Sequence, residues 1–311
     1  MLVNRPLISV ILAAAAVTLI TVSGCTSQSS TPAAPQSSPP AVRLPAATGE
    51  HQIILFDRYS QRLLAYDTAT KTVVSKSDQD NYFQYEFPNP SELYTAGSSL
   101  TNGFTIVKVD GGSVDTVVRA DSDQGLFPLA HAGTTSLFTS SRYDSSGAEK
   151  SRVIVRLEGS SLVTYPQTKG LIDSGAIVGS TLYYTTLDDD TEKYTLLSLP
   201  VADADATPTV KETGLAKGGV YSHAGRLYLA DATGVTSGSD HFDCSDLCYF
   251  FDDENLFARV YVDKESDLRL DVLDATTHKI VGSESGLVDF RVGPKAITVY
   301  KNGDIATIDL P

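Results

Sequence analysis

From residue 51 onward the chain is written in short apolar runs, β-branched or aromatic and bounded by Gly, Asp, Ser or Pro. Gln52 to Phe56, Arg62 to Tyr66, Phe104 to Val109, Arg152 to Leu157 and Thr181 to Thr185 are representative. Runs of this length and make-up predict strands, and no apolar period of 3.6 residues is sustained for long enough to predict a helix. The fold class expected is all-β.

The runs recur as a unit. Leu129-Ala130-His131-Ala132-Gly133 leads to Leu137-Phe138, Gly175 to Gly179 leads to Leu182-Tyr183, and Val220 to Gly225 leads to Leu227-Tyr228. The turn glycines 133, 179 and 225 stand 46 residues apart, and Phe290 to Gly293 leading into Ile297 to Tyr300 repeats the pattern. A recurring strand, tight turn and aromatic-bearing strand, followed by a third strand and a weaker fourth, predicts a β-propeller. Second strands centred near 55, 93, 137, 182, 227, 259 and 297 predict seven blades of about 37 residues. Six blades with an insertion at 237–255 are the alternative, because the 227 to 259 interval is short. A β-sandwich or a solenoid is the competing architecture. The last unit ends after its third strand, so a strand near Gln52 to Phe56, or just before it, is expected to complete that blade.

A second repeat lies at the far end of the unit. Leu64-Ala65-Tyr66-Asp67-Thr68-Ala69-Thr70-Lys71-Thr72-Val73-Val74 matches Leu270 to Val281 in type: a strand, an Asp-started turn, Lys and a β-branched pair. Asp starts such corners because its carboxylate accepts from backbone N–H groups two residues on. This turn, assigned to the third-to-fourth strand connection, resembles those of the YVTN and PQQ-type repeats of bacterial β-propellers over about a dozen residues per repeat. The chain has no Trp, which departs from the PQQ pattern, so the resemblance implies no quinone cofactor.

Residues 1–24 carry one charge, Arg5, and a 16-residue apolar run from Leu7 to Val22. That run is short of the roughly 20 residues that span a bilayer and reads as an export signal. Val22-Ser23-Gly24-Cys25 resembles the bacterial lipobox, which implies cleavage before Cys25 and acylation of its thiol, palmitate included. Acyl chains bury CH₂ groups at about 0.8 kcal/mol each, so two or three of them anchor a protein without a transmembrane helix. A plain secretory signal or an uncleaved anchor is the alternative. Residues 25–50 are Ser, Thr, Pro, Ala and Gln with few large apolar side chains, and are expected to form a disordered tether ahead of the 51–311 body. At about 3 Å per residue the tether reaches several tens of ångströms. The expected location is the extracytoplasmic face of a cell membrane.

The charge balance is 24 Lys plus Arg against 38 Asp plus Glu, a net charge of −14. Loss of residues 1–24 removes one Arg and no acid, so the exported chain carries −15. Repulsion from phosphate excludes nucleic acid as a partner. Mapped onto the repeat, the acids fall on loops of one face: Asp121 and Asp123, Asp144 and Glu149, Asp188, Asp189, Asp190 and Glu192, Asp263, Glu265 and Asp267, with Asp78 and Asp80. Such carboxylates attract a cationic partner or hold Ca²⁺; solvated loops that keep the protein soluble are the plainer account. Asp121-Ser122-Asp123-Gln124-Gly125 resembles half of a calcium loop but lacks the later bidentate Glu.

With Cys25 assigned to the lipid, Cys244 and Cys248 form an even pair in an oxidising compartment, which predicts a disulfide. A metal site with His241, Asp243 and Asp246 is the alternative, and redox catalysis does not suit the three-residue spacing. Gly282-Ser283-Glu284-Ser285-Gly286 is no nucleophile elbow, since Glu holds the central place. His131 and His223 fall at equivalent first-strand positions by the sequence repeat, a candidate pair near the channel. The reading is a lipid-anchored binding or scaffold module of the cell envelope, with an envelope protein or carbohydrate as partner and no catalytic residue assigned. A propeller hydrolase or lyase acting on carbohydrate is the alternative, its acid and base drawn from the acidic loops or the two histidines.

Overall fold

The computed structural model describes residues 52–57, 62–76, 82–84, 93–97, 104–110, 113–244, 247–252, 254–264, 267–292, 296–301 and 304–310. They contain strands and turns and no helix. The signal segment 1–24, Cys25 and the tether to residue 50 lie outside the described residues, as do Asp78, Asp80, Asp246 and Glu265.

Seven antiparallel sheets follow one another along the chain. The first holds β1 (Gln52–Asp57), β2 (Arg62–Asp67) and β3 (Thr72–Lys76), and the second β4 (Tyr82–Gln84), β5 (Leu93–Gly97), β6 (Thr105–Asp110) and β7 (Ser113–Arg119). The third holds β8 (Gln124–Ala132), β9 (Thr135–Tyr143), β10 (Glu149–Glu158) and β11 (Ser161–Thr164). The fourth holds β12 (Leu171–Val178), β13 (Thr181–Asp188), β14 (Lys193–Pro200) and β15 (Thr209–Leu215). β16 (Val220–His223), β17 (Arg226–Ala230), β18 (Val235–Ser237) and β19 (Asp240–Phe242) make the fifth. β20 (Leu247–Phe251), β21 (Leu256–Val262), β22 (Leu268–Asp274) and β23 (Ile280–Ser285) make the sixth. The seventh is β24 (Leu287–Val292), β25 (Ala296–Lys301) and β26 (Asp304–Asp309). Every sheet is a meander, each strand hydrogen-bonded to the next in sequence. The seven expected second-strand centres fall in seven different sheets.

Packing explains why middle strands read as nearly continuous apolar runs and last strands do not. A strand covered on both faces has no reason to alternate. Val153 to Val155, Leu196 to Leu199 and Leu270 to Leu273 sit between neighbouring sheets, whereas Thr209–Leu215 at a sheet edge is exposed at almost every residue. Apolar clusters occupy the gaps between consecutive sheets. Ile106 and Phe104 meet Leu126 and Phe138; Ile154 meets Ile177, Leu182 and Tyr184; Ala176 meets Val220. Phe242 meets Phe257, and Ala258 and Val272 meet Phe290 and Val299. The seventh and first sheets also share a cluster, with Leu55, Leu64 and Tyr66 against Val288 and Tyr300.

Two sequence expectations change on contact with this arrangement. The segment 237–255 is no insertion, since it holds β19, the link to the sixth sheet and β20. Gln52–Asp57 does not complete the last unit, because it pairs with Arg62–Asp67 in the first sheet; the stretch just before it lies outside the described residues. The Asp turns do match. Asp67 Oδ1 accepts from the N–H groups of Ala69 (2.9 Å) and Thr70 (2.8 Å), Asp274 Oδ1 from those of Thr276 (3.1 Å) and Thr277 (2.6 Å). Lys71 and His278 both take a φ of 56°. By that match β1 to β3 correspond to the second, third and fourth strands of the sixth sheet.

Candidate functional site

The loop carboxylates are largely consumed by their own surroundings. Asp121 and Asp123 both pair with Arg142, at 2.7 and 2.6 Å, and that contact raises the guanidinium further above its ordinary value. Asp188 Oδ1 accepts from the backbone of Thr191 and Asp190 and from the Thr191 hydroxyl, all within 3.1 Å, which holds its carboxyl below the usual range. Asp144 does the same with Ser146 and Ala148, and Asp263 accepts from Asp267 N–H. Asp189, Asp190 and Glu192 project from the same exposed turn. Among the described residues no group of three or more His, Cys, Asp or Glu is placed to hold a metal ion.

The two histidines are not equivalent. The turn after β8 is Gly133-Thr134 and that after β12 is Gly179-Ser180, with positive φ at each glycine; after β16 it is Ala224-Gly225, with φ of 47° and 71°. His223 therefore faces Arg226 as the pair that closes its turn, whereas His131 faces Ser136 one pair further back. One residue of offset reverses the face on which a strand side chain projects. His131 bonds Ser136 Oγ at 2.9 Å, and burial lowers its pKa. His223 is buried against Phe250, whose ring stacks on it at 4.8 Å, and bonds Asp252. The sequence repeat does not make them a channel pair.

Cys244 and Cys248 are joined in a disulfide, with Cα atoms 6.0 Å apart. It closes the link between the fifth and sixth sheets, and both cysteines are buried beside Phe242 and Phe257. No thiolate is left for the metal alternative, and Asp243 instead pairs with Arg259.

A different cluster gathers where the third, fourth and fifth sheets adjoin. In β12 the register moves from Ile172 opposite Thr186 to Gly175 opposite Tyr184, so Asp173 and Ser174 share the single partner Thr185. This is a β-bulge, which bends a strand and re-aims its side chains. Ser174 Oγ accepts from Val220 N–H at 3.1 Å, and Thr185 Oγ1 donates to the Gly218 carbonyl at 2.6 Å. The chain entering β16 is thereby held against the bulge. Gly218 allows the close approach, since a Cβ would stand 2.3 Å from Asp173 Oδ2 and 2.4 Å from the Tyr194 ring and force those side chains to shift.

Asp173 keeps access to solvent, yet protein atoms crowd it on several sides. That crowding raises its carboxyl above the ordinary range, and the Arg152 charge partly opposes the rise. No hydrogen bond or ion pair holds its carboxylate among the described residues. Arg152 is committed elsewhere: Nη2 and Nε donate to Glu149 at 2.6 and 3.0 Å, and Nη1 donates to the Ile172 carbonyl at 3.3 Å. Two phenols complete the site. Burial and then the Asp173 charge raise Tyr194, and the same two causes push Tyr221 up to about 12, against a hydrogen bond from the Cys248 backbone. A carboxylate with no partner among the described residues, open to solvent beside the Tyr194 ring, can bind a polar or cationic group.

Sequence reading missed Asp173, Arg152, Tyr194 and Tyr221. The signals were an Asp-Ser-Gly step inside an apolar strand and the Gly218-Gly219 pair that lets two backbones approach.

The chain matches no family model and no curated protein. Similar solved structures include TolB from Acinetobacter baumannii, 10% identical with a TM-score of 0.40, covering 86% of this chain; the chain spans 63% of that protein. Regucalcin, a calcium-binding protein from Agrobacterium tumefaciens, is 10% identical with a TM-score of 0.40 over 87% of this chain and 89% of its own. AztD from Citrobacter koseri is 8% identical with a TM-score of 0.42 over 87% and 95%.

Proposed function

We propose that the protein is an extracytoplasmic binding module: a seven-bladed propeller formed by residues 51–311, tethered through 25–50 to a lipid on Cys25, that recognises an envelope partner on the face around Asp173. Seven successive meander sheets support the blade count, and the cluster shared by the seventh and first sheets supports ring closure. The observation that carries the binding role is the open Asp173 carboxylate, set apart from loop acids already bonded to their own turns or to Arg142. The hydrolase or lyase reading named the loop acids, His131 and His223 as acid and base. It loses support because Asp144 and Asp188 are held ionised and the histidines occupy different sheets in different registers.

Mass spectrometry of the membrane-extracted protein tests the anchor, with acylated Cys25 as N-terminal residue expected and an unmodified or uncleaved chain overturning it. A photo-crosslinking residue at Asp189, on the loop face, is expected to give a discrete adduct in intact cells, and one at Val210, on the exposed edge strand, is not. Equal yields from the two positions, or none from Asp189, defeat the binding role.

A further inference from the structure

We propose that the Asp173 carboxylate, open to solvent beside Tyr194, takes a primary ammonium group, such as a lysine side chain of the envelope partner. This rests on the binding-module reading and adds the chemistry of what is bound. Three observations converge. The bulge spends two residues, Asp173 and Ser174, against one partner, and Ser174 is used to fasten β16 while Asp173 is left without a hydrogen bond among the described residues. Next, the charged group that opposes the carboxyl's raised state, Arg152, is already held by Glu149 and the Ile172 carbonyl, so it does not close on Asp173. Finally, the place that a Gly218 Cβ would take lies 2.3 Å from Asp173 Oδ2 and 2.4 Å from the Tyr194 ring, and Tyr221 packs 3.0 Å from the equivalent point at Gly219, so aromatic side chains adjoin the carboxylate.

A carboxylate beside an aromatic ring suits a cation, which gains from the charge and from the ring together. The Gly218 backbone and the Tyr194 ring crowd this carboxylate, which favours a compact ammonium with a point charge over a planar guanidinium that must approach edge-on. The net charge of −14 draws cations toward the protein before contact. Binding a cation would reverse the upward displacement of the Asp173 carboxyl, so the free protein holds this group in a state that an ammonium relaxes.

The test uses the full chain extracted from membranes in detergent, with cadaverine as the probe. Calorimetric titration at pH 7.5 is expected to show one millimolar site, weakened at least tenfold in Asp173→Asn and unchanged within twofold in Asp188→Asn. Carbodiimide coupling of dansylcadaverine to the unmutated protein, mapped by peptide mass spectrometry, is expected at Asp173 at least fivefold above Asp188, Asp189 or Asp190, which removes dependence on a variant that folds poorly. Coupling spread evenly over these acids, or unchanged binding in a folded Asp173→Asn protein, overturns the proposal. N-acetylglucosamine binding that depends on Asp173, with cadaverine inert, overturns the ammonium and leaves the binding site standing. A lost Asp189 crosslink instead removes the binding-module reading itself.

Discussion

Asp252 Oδ1 lies 2.5 Å from His223 Nδ1, and Asp252 Oδ2 accepts from the Ala224 N–H at 3.0 Å. One carboxylate just beyond β20 thus fastens the last residue of β16 and the turn that follows it, tying the first strands of the fifth and sixth sheets. The turn needs such support because Ala224 takes a φ of 47°, a region that costs a side chain about 1 kcal/mol or more. Asp252→Ala removes both acceptors and leaves buried His223 with an unmet ring nitrogen. Because the Asp252 side chain is half exposed, a loss of about 1–2 kcal/mol is expected, read as a lower urea midpoint with unchanged slope. An unaltered midpoint would show that the contact contributes nothing.

The disulfide bears on the site as well as on stability. Burial and the Asp173 charge push the Tyr221 phenol up, and a hydrogen bond with the Cys248 backbone opposes that rise. A short loop such as 244–248 gains about 2 kcal/mol from closure in the chain-entropy account. Replacing both cysteines with Ala should lower stability by that order in guanidinium unfolding. It should also shift the near-ultraviolet circular dichroism of the tyrosines, which a purely distant crosslink would leave alone.

Gly218→Ala places a methyl group inside contact distance of Asp173 Oδ2 and the Tyr194 ring, with the Gly218 carbonyl pinned by Thr185. Overpacking of this kind costs about 1–3 kcal/mol. Gly133→Ala, at a turn where nothing lies within 4 Å of the added atom, pays only for its positive φ. Thermal melts of the two variants should place Gly218→Ala lower, and carbodiimide labelling of Asp173 should change only there.

What the sequence disclosed and what it concealed follow from the same physics. Burial on both faces writes strands as apolar runs, so the all-β class, the recurrence and the placing of 55, 93, 137, 182, 227, 259 and 297 in separate sheets were legible. Asp67 and Asp274 were legible as turns because the carboxylate acts on its own neighbours. The repeat of His-Ala-Gly at 131 and 223 misled, since the turn begins at Gly133 in one and at Ala224 in the other. A one-residue offset is invisible to spacing and decisive for facing. The acidic loops were legible as charge, but which of their carboxylates the N–H groups and Arg142 engage is a matter of contacts in the fold. Asp173 was hidden because a bulge is a property of pairing.

Those turn carboxylates set an acid limit. Hydrogen bonds from the Thr233 side chain and backbone hold Asp231 at about 2, and similar bonds hold Asp144, Asp188 and Asp274 below the ordinary range. Unfolded, such carboxyls titrate near 4. Their contribution is therefore complete above about pH 4 and is lost as pH falls toward about 2. Asp173, raised in the fold, acts in the opposite sense and favours the folded state while it is protonated. The melting temperature should fall between pH 4 and 2, and Asp231→Asn should flatten part of that fall. A variant as steep as the parent protein would remove Asp231 from the account.

Asp271 is the most committed carboxylate of the sixth sheet. Only 3% exposed, it accepts from Arg259 Nε and Nη2 at 3.1 and 3.0 Å, Tyr261 at 3.0 Å and Ser283 at 2.6 Å. These are cross-strand neighbours on one face of β21, β22 and β23, and Arg259 reaches on to Asp243 at 2.8 Å, beside the disulfide. Burial raises the Asp271 carboxyl, and the donors outweigh it, leaving the group ionised and below its ordinary value. Removing one member of such a network strands the rest, so Asp271→Ala is expected to cost about 3–5 kcal/mol. Removing the charges together strands less. Arg259→Leu with Asp271→Leu should therefore lose less than Asp271→Ala alone, and a double-mutant cycle in guanidinium should give a coupling between the two sites above about 1 kcal/mol. Additive losses would mean that Arg259 serves Asp243 and the link to the fifth sheet, independently of Asp271.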